Sequence, residues 1–273
     1  METRTQNSME IATVPADTEA ESRLVGALAR GVAVMRAFTP TRTALSVKEL
    51  AQATGLPKPT LARLLDTLCE LGLLRYSERL SRYVPGLGML TLGAPVLARM
   101  TIRQLARPLM QELADHVRGQ VALVAADRHE LTYVEIVHGA DSVLFRPEIG
   151  GRISVARTAS GRAYLCSLSE PERRHYVEQV LHDPDGARRP WLAQRLQAAE
   201  RSLAEHGMCL SHGDLHREIE TVAVPFPTRV DGEFWVLATS VGKFNLRGDE
   251  IFSDIGPRAV TLVRTVEAAL GGG

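Results

Sequence analysis

The chain carries only three cysteines, Cys69, Cys166 and Cys209, in 273 residues. Their odd number and wide spacing exclude a disulfide framework and fit a reducing compartment, where such residues serve as small buried hydrophobes. No apolar run approaches the roughly eighteen residues that a membrane-spanning helix needs. The opening METRTQNSMEIATVPADTEAES is polar and acidic rather than a signal peptide. A cytoplasmic protein without membrane contact is therefore expected. Signatures of catalysis are missing as well. Ser160 stands in ASGRA instead of a G-x-S-x-G elbow, no H-E-x-x-H, Walker or dinucleotide-binding glycine pattern occurs, and the eight histidines show no nucleophile–base spacing. No catalytic residue and no cofactor are assigned.

Net charge is also missing, since 32 Lys and Arg balance 32 Asp and Glu, but its distribution is uneven. Between Arg23 and Arg103 twelve bases face four acids, a balance of +8, whereas residues 1–22 and 104–273 each carry −4. A basic block joined to a mildly acidic remainder is the electrostatic pattern of a nucleic-acid-binding module attached to something else. The length exceeds what one hydrophobic core usually organises, so two domains are expected, and 45% hydrophobic residues suffice to fill them.

Within the basic block the stretch VKELAQATGLPKPTLARLLDTLCELGLL, Val47 to Leu74, predicts two short amphipathic helices around a turn. Ser46 is an N-cap with Glu49 as its capping-box partner, and Val47, Leu50 and Ala51 recur on one face. Gly55 supplies the turn. Pro57 and Pro59 restart the chain, and Leu61, Leu64, Leu65 and Leu68 mark the buried stripe of the second helix. Its other face shows Pro59, Arg63, Asp66 and Thr67, with Lys58 and Thr60 at the positive N-terminal end. That is what a recognition helix in a major groove requires. LLRYSERLSRYVPG then reads as a hairpin whose tip carries Arg79, Ser81 and Arg82, a basic wing, and Val25 to Phe38 supplies a covering helix. The DNA-contacting set is Ser46, Lys58, Pro59, Thr60, Arg63, Thr67, Arg79 and Arg82, on a double-stranded, pseudo-palindromic operator. A purely structural helical subdomain is the bland alternative.

The blocks ALARGVAVMRAFTP, LSVKELAQATGLPKPTLARLLDTLCELGLL, RYVPGLGMLTLG, GGRISVARTASGRAYLC and ETVAVPF followed by WVLATSVG resemble, in this order, the IclR-type (isocitrate lyase regulator) transcriptional regulators. The resemblance covers Leu24 to Leu270. It implies an α+β protein with an N-terminal winged helix-turn-helix domain, a linker helix and a C-terminal GAF-like α/β effector-binding domain with an antiparallel sheet. The corresponding boundaries are a disordered acidic tail over 1–22, the DNA-binding domain over 23–88, the linker helix over 89–106 and the effector domain over 107–271. It further implies a homodimer that pairs again into a homotetramer, and a repressor or activator of a catabolic operon.

The second half supports that class on its own pattern. QVALVAA and LTYVEIV are β-rich runs separated by a hairpin signal at Asp127 to Glu130, and VLFRPEI, ISVA, MCLS, TVAVPF and FWVLATSV add further strands. A capping box at Ser169 and Glu172 opens a helix reaching Leu181, Leu192 to His206 is amphipathic, and Asp249 to Leu270 closes the chain. Hairpins mixed with helices argue for α+β with an antiparallel sheet. RTASGRAYL places Thr158, Ala159, Ser160 and Gly161 at a helix start, where free N–H groups and the helix dipole favour an anion such as a carboxylate. The commoner fate of such a serine is simply to cap. The resemblance adds Ser211, Ile219, Thr221, Thr239 and Val241 to the small-molecule site, the last two alternating onto one strand face. The expected ligand is a small organic acid.

One segment departs from the family. SHGDLHREIET stands where an acidic pair and a glycine-led turn are usual, and His212 joins the candidate ligand-binding residues there. His206, Cys209, His212 and His216 fall close enough in sequence to raise a zinc site, but their spacing matches no common one, so no metal is assigned. Two competing classes remain at this level. One is a metabolic enzyme carrying an accessory DNA-binding domain, and the other is an architectural DNA-binding protein, which needs no second domain of this size.

Overall fold

The computed structural model describes residues 25–127, 130–140, 142, 146–179 and 189–271. The acidic tail expected over 1–22 lies outside them. The chain divides into two compact units, Met1–Pro95 and Val96–Gly273.

In the first unit, α1 (Gly26–Arg36), α2 (Val47–Thr54) and α3 (Lys58–Glu70) precede the hairpin of β1 (Leu74–Ser77) and β2 (Arg82–Pro85). The capping box forms as the sequence demands. Ser46 Oγ donates to Glu49 Oε2 at 2.6 Å and accepts from Glu49 N at 3.3 Å, while Ser46 N donates to the same carboxylate at 2.8 Å. α2 ends at Gly55, whose φ of +67° is the left-handed cap conformation that a Cβ disfavours. Pro57 caps α3 with Pro59 in its first turn, and Leu61, Leu65 and Leu68 point inward with Val34, Ala37, Leu45, Leu50 and Leu74. Each fully buried leucine contributes about 1.5–3 kcal/mol. Tyr83 bridges back to Leu45 through two backbone hydrogen bonds of 2.8 and 2.9 Å, tying the wing to the loop before α2.

The linker helix expected over 89–106 is found as two helices, α4 (Leu87–Arg99) and α5 (Thr101–Val117), broken at Met100. Met89 packs against the first core, and Leu97 and Met100 against the second. Ile102 and Ala106 are fully buried in the second core, so α5 joins that unit from its first turn. Its proline, Pro108, is on the exposed side and leaves the helix intact.

The second unit is a six-stranded antiparallel sheet in the order β5-β4-β3-β8-β7-β6, built from β3 (Gln120–Asp127), β4 (Glu130–His138), β5 (Arg152–Ile153), β6 (Cys209–His212), β7 (Ile219–Pro225) and β8 (Trp235–Gly242). Between them run α6 (Ala159–Ser167), α7 (Glu170–Gln179) and α8 (Arg189–His206), and α9 (Gly256–Gly271) closes the chain after a π turn over Ile251–Ile255. Both sheet faces are covered. Val121, Leu123, Val222, Val224, Leu237 and Val241 pack with α5 and α9 on one face, whereas Ala122, Val124, Ala223 and Val236 pack with Ala159, Ala163 and Leu165 of α6 on the other. The strands are paired so that alternate residues of each feed opposite cores.

Two expectations fail here. Of VLFRPEI, residues 146–149 are not a strand, and the rest of that segment is in part outside the described residues. Only Cys209 is fully buried among the cysteines, Cys69 and Cys166 being half-buried.

Candidate functional site

On the first unit, Lys58, Pro59, Arg63 and Thr67 share the exposed side of α3, and Thr60 is half-buried beside them. Among the described residues Lys58, Arg63 and the hairpin's Arg79 have no ion-pair partner, so their charges face solvent. Thr67 Oγ1 donates to the Arg63 carbonyl at 2.9 Å. Two members of the expected DNA-contacting set are engaged locally instead. Ser46 is spent in the capping box, and the Arg82 guanidinium turns onto Glu49 Oε2 and reaches the Ala44 carbonyl at 3.4 Å. Hydrogen bonds from Ser46 and the nearby Arg82 charge hold the Glu49 carboxyl below its ordinary range. Arg82 therefore ties wing to α2, and the free charge at the hairpin tip is that of Arg79.

On the second unit, a small cleft with a cavity of about 60 Å³, open to solvent, lies between α6 and the sheet. Thr158, Ala159 and Ser160 line it from the helix start, and Gln120, Ala122, Tyr133, Ile153, Ser211, Ile219, Thr221, Ala238 and Ser240 from the strands. Leu215 and His216 complete the wall from the loop between β6 and β7. The hydroxyls have different duties. Thr158 Oγ1 accepts from Gly161 N at 3.0 Å and donates to the Ser154 carbonyl at 2.9 Å, so it is a cap with nothing left to donate. Ser160 Oγ has no hydrogen-bond partner among the described residues, and Thr221 Oγ1 and Ser240 Oγ share one bond of 3.1 Å. Burial pushes the Tyr133 phenol up to about 12, which keeps it neutral and able to donate.

Several expected site residues are placed elsewhere. Gly161 does not line the cleft. A Cβ there would stand 1.9 Å from the Val155 carbonyl oxygen, so the close approach it allows is of α6 to the preceding loop. Thr239 and Val241 do share a strand face, but it is the face turned toward α5 and α9. Ala238 and Ser240 occupy the cleft instead, because a shift of one residue along a strand exchanges faces. Val241 lines a separate depression with His116 and Asp254. His212 points away from the cleft and pairs with Glu220 Oε2 at 2.5 Å.

The histidine-rich segment does not converge. His206 packs edge-on against Phe252, Cys209 is buried with its thiol 3.8 Å from the Ala199 carbonyl, and His216 alone of the four lines the cleft. Among the described residues no group of three or more His, Cys, Asp or Glu could hold a metal ion.

Sequence reasoning missed Gln120, Ala122, Tyr133, Ile153, Leu215, Ala238 and Ser240, which only the sheet register gathers. It also missed the charges behind the cleft. Arg162, 4% exposed at its side chain and two residues along α6 from Ser160, donates to the Leu210 carbonyl at 2.7 Å and to Asp214 Oδ2 at 2.9 Å. Arg195 of α8 takes the other oxygen of Asp214, its guanidinium 4.2 Å above the Trp191 ring. Burial raises the Asp214 carboxyl, but the bonds and charges of Arg195 and Arg162 outweigh it and leave the group below its ordinary range. Two guanidinium groups face one carboxylate, so the cluster carries a surplus positive charge beside a cleft that no Lys or Arg lines.

Comparison with known proteins fits both units. The profile of the IclR helix-turn-helix domain matches residues 27–78, and that of the bacterial transcriptional regulator IclR C-terminal domain matches residues 94–247. The HTH-type transcriptional regulator TsaQ1/TsaQ2 of Comamonas testosteroni is 25% identical over 254 residues, covering 92% of this chain and 91% of its own. The transcriptional repressor IclR of Escherichia coli (strain K12) is 26% identical over 174 residues, 63% of this chain and 60% of its own. Among solved structures, an IclR family transcriptional regulator from Brucella abortus superposes with a TM-score of 0.80 at 36% identity, covering 94% of this chain and 96% of that one. An IclR homolog from Microbacterium hydrocarbonoxydans, complexed with 4-hydroxybenzoate, shares the fold with a TM-score of 0.67 at 22% identity over 89% and 99% of the two chains. These relatives are regulators, which removes the enzyme alternative. A DNA-reading unit and a cleft-bearing unit matched in sequence order over most of their length make the chain a member of the IclR family of DNA-binding transcriptional regulators.

Proposed function

We propose that this regulator binds a pseudo-palindromic operator through α3 and the hairpin tip, and that a small organic acid in the cleft controls that binding. The observation that carries the acid is the start of α6. There Ser160 presents an unpartnered hydroxyl beside free first-turn N–H groups, with Tyr133, Gln120, Thr221 and Ser240 as further hydrogen-bonding groups on the same wall. A carboxylate needs donors when it leaves water, and a helix N-terminus with hydroxyls around it supplies them. The surplus charge of the Arg162 cluster acts in the same direction. The 4-hydroxybenzoate bound by the Microbacterium homolog is an acid of this class.

Lys58, Thr60 and Arg63 are assigned to base edges or adjacent phosphates and Arg79 to the backbone. The operator's symmetry requires a second copy. Leu87, Leu90 and Leu92 of α4 are 81%, 66% and 65% exposed, apolar helix surface available for dimer formation and for further pairing of dimers. Among the described residues no helix is long and apolar enough to cross a membrane, and the cytoplasm is the natural location of an operator-binding protein. A thermal-shift screen of organic acids, followed by operator binding with each stabilising acid, tests the reading. Linkage demands that a hundredfold change in operator affinity reflect about 2.7 kcal/mol of differential ligand binding. Acids that stabilise the protein but leave operator affinity unchanged would overturn the sensing role.

A further inference from the structure

The loop between β6 and β7, residues 213–218, supplies Leu215 and His216 to the cleft wall. Its two ends are held differently. On the β7 side, backbone bonds fix it: Ile219 N donates to the His216 carbonyl at 2.9 Å and Lys243 N to the Glu218 carbonyl at 2.9 Å. On the β6 side the anchor is a side chain. Asp214 is 9% exposed and is gripped by Arg162 from α6 and by Arg195 from α8. The two grips are unequal. Arg162 is buried and cannot leave its place without stranding a guanidinium in the interior, whereas Arg195 is 33% exposed and can be released to water at little cost. Leu215, next in the chain, is 42% exposed although it lines the cleft, so the loop forms the mouth rather than the floor. The Ser211 hydroxyl, also in the cleft wall, contributes with the two guanidinium groups to holding the Asp214 carboxyl below its ordinary range.

We propose that Asp214 is a positioning residue for the cleft mouth: clamped between Arg162 and Arg195, it fixes the loop that carries Leu215 and His216, and release of the outer grip by Arg195 is the step that admits and frees the ligand. Asp214 is distinct from the residues assigned to the ligand itself, and it acts through its neighbours in the loop. The inference builds on the cleft being the ligand site, but the motion of the loop stands by itself and is testable without ligand.

The experiment uses the full chain and the variants R195Q and R195K. Hydrogen–deuterium exchange on the unliganded protein reads the loop. With R195Q, amides over 214–217 exchange faster by about two- to fivefold, the opening expected when one partly exposed ion pair is removed. The strands β7 and β8 stay as protected as before, and R195K restores most of the protection. The second arm uses 4-hydroxybenzoate as probe in stopped-flow binding. R195Q raises its association and dissociation rates by similar factors, so the affinity changes by less than about threefold, as gating requires. A merely structural anchor would behave otherwise, lowering melting temperature and affinity together. Loop exchange unchanged by R195Q overturns the proposal, and so does a loosened loop with unaltered probe kinetics. If the wild-type protein binds no 4-hydroxybenzoate, that acid is lost to the functional reading, while the exchange arm still decides the clamp.

Discussion

Replacing Thr239 by Val separates the two faces of β8. Thr239 is fully buried on the face turned toward α5 and α9, and its hydroxyl has no hydrogen-bond partner there. A buried hydroxyl without a partner costs about 1–3 kcal/mol, and valine puts a methyl of nearly the same size against the opposed Val121. Taking the lower end, the variant gains about 1 kcal/mol, which in a unit of this length corresponds to a melting temperature higher by about 2–4 °C. Ligand affinity stays within about twofold, because the side chain never meets the cleft. The neighbouring Ser240→Ala does the opposite. It removes one of the two hydroxyls joined at 3.1 Å in the cleft wall and weakens acid binding by about 1 kcal/mol, roughly fivefold, with little change in melting. Differential scanning calorimetry and titration calorimetry with an acid from the screen read both quantities. The reasoning is refuted if Thr239→Val lowers the melting temperature or the affinity while Ser240→Ala leaves binding untouched.

Three other perturbations bear on the rest of the molecule. Gly161→Ala drives a methyl into the Val155 backbone, which cannot yield as a flexible side chain would, so stability falls by about 3 kcal/mol or more in a denaturant titration; a loss below 1 kcal/mol contradicts this packing. Arg63→Ala weakens operator binding by about 1–3 kcal/mol and relaxes preference at one base pair if it reads a guanine, whereas Arg79→Ala weakens all DNA alike and lowers the salt slope, both visible in fluorescence anisotropy across salt concentrations. Arg82→Ala, by contrast, removes the tie to Glu49 and lowers the stability of the DNA-reading unit, which circular dichroism melting separates from a pure contact loss. The Glu49, Asp214 and Asp254 carboxyls are all held below their ordinary range, so their stabilisation is fully present above about pH 4 to 5, where the unfolded chain is already ionised, and is lost as pH falls through the folded values. Melting temperature should therefore decline from pH 5 toward pH 3, and a rise over that interval would contradict the assignment.

What the sequence determined by itself is whatever depends on neighbours a few residues apart. The capping box of Ser46 and Glu49, the left-handed turn at Gly55, the leucine stripe of α3 and the hairpin after it are local, and their chemistry names their geometry. The start of α6 was legible for the same reason, since Thr158 needs only Gly161 to act as a cap. The cleft was legible only in part. Alternation along FWVLATSVG shows that Thr239 and Val241 share a face and that Ala238 and Ser240 share the other, but both faces of this sheet are covered by helices, so both read as apolar and nothing local says which one leaves a cleft. The sheet register decides it, by setting β3 between β4 and β8 and turning Gln120, Ala122, Tyr133, Ala238 and Ser240 toward α6. The Arg162–Asp214–Arg195 cluster belongs wholly to the tertiary structure, for its members come from α6, the loop after β6 and α8, and a buried charge reveals its partner only when the chain has closed around it.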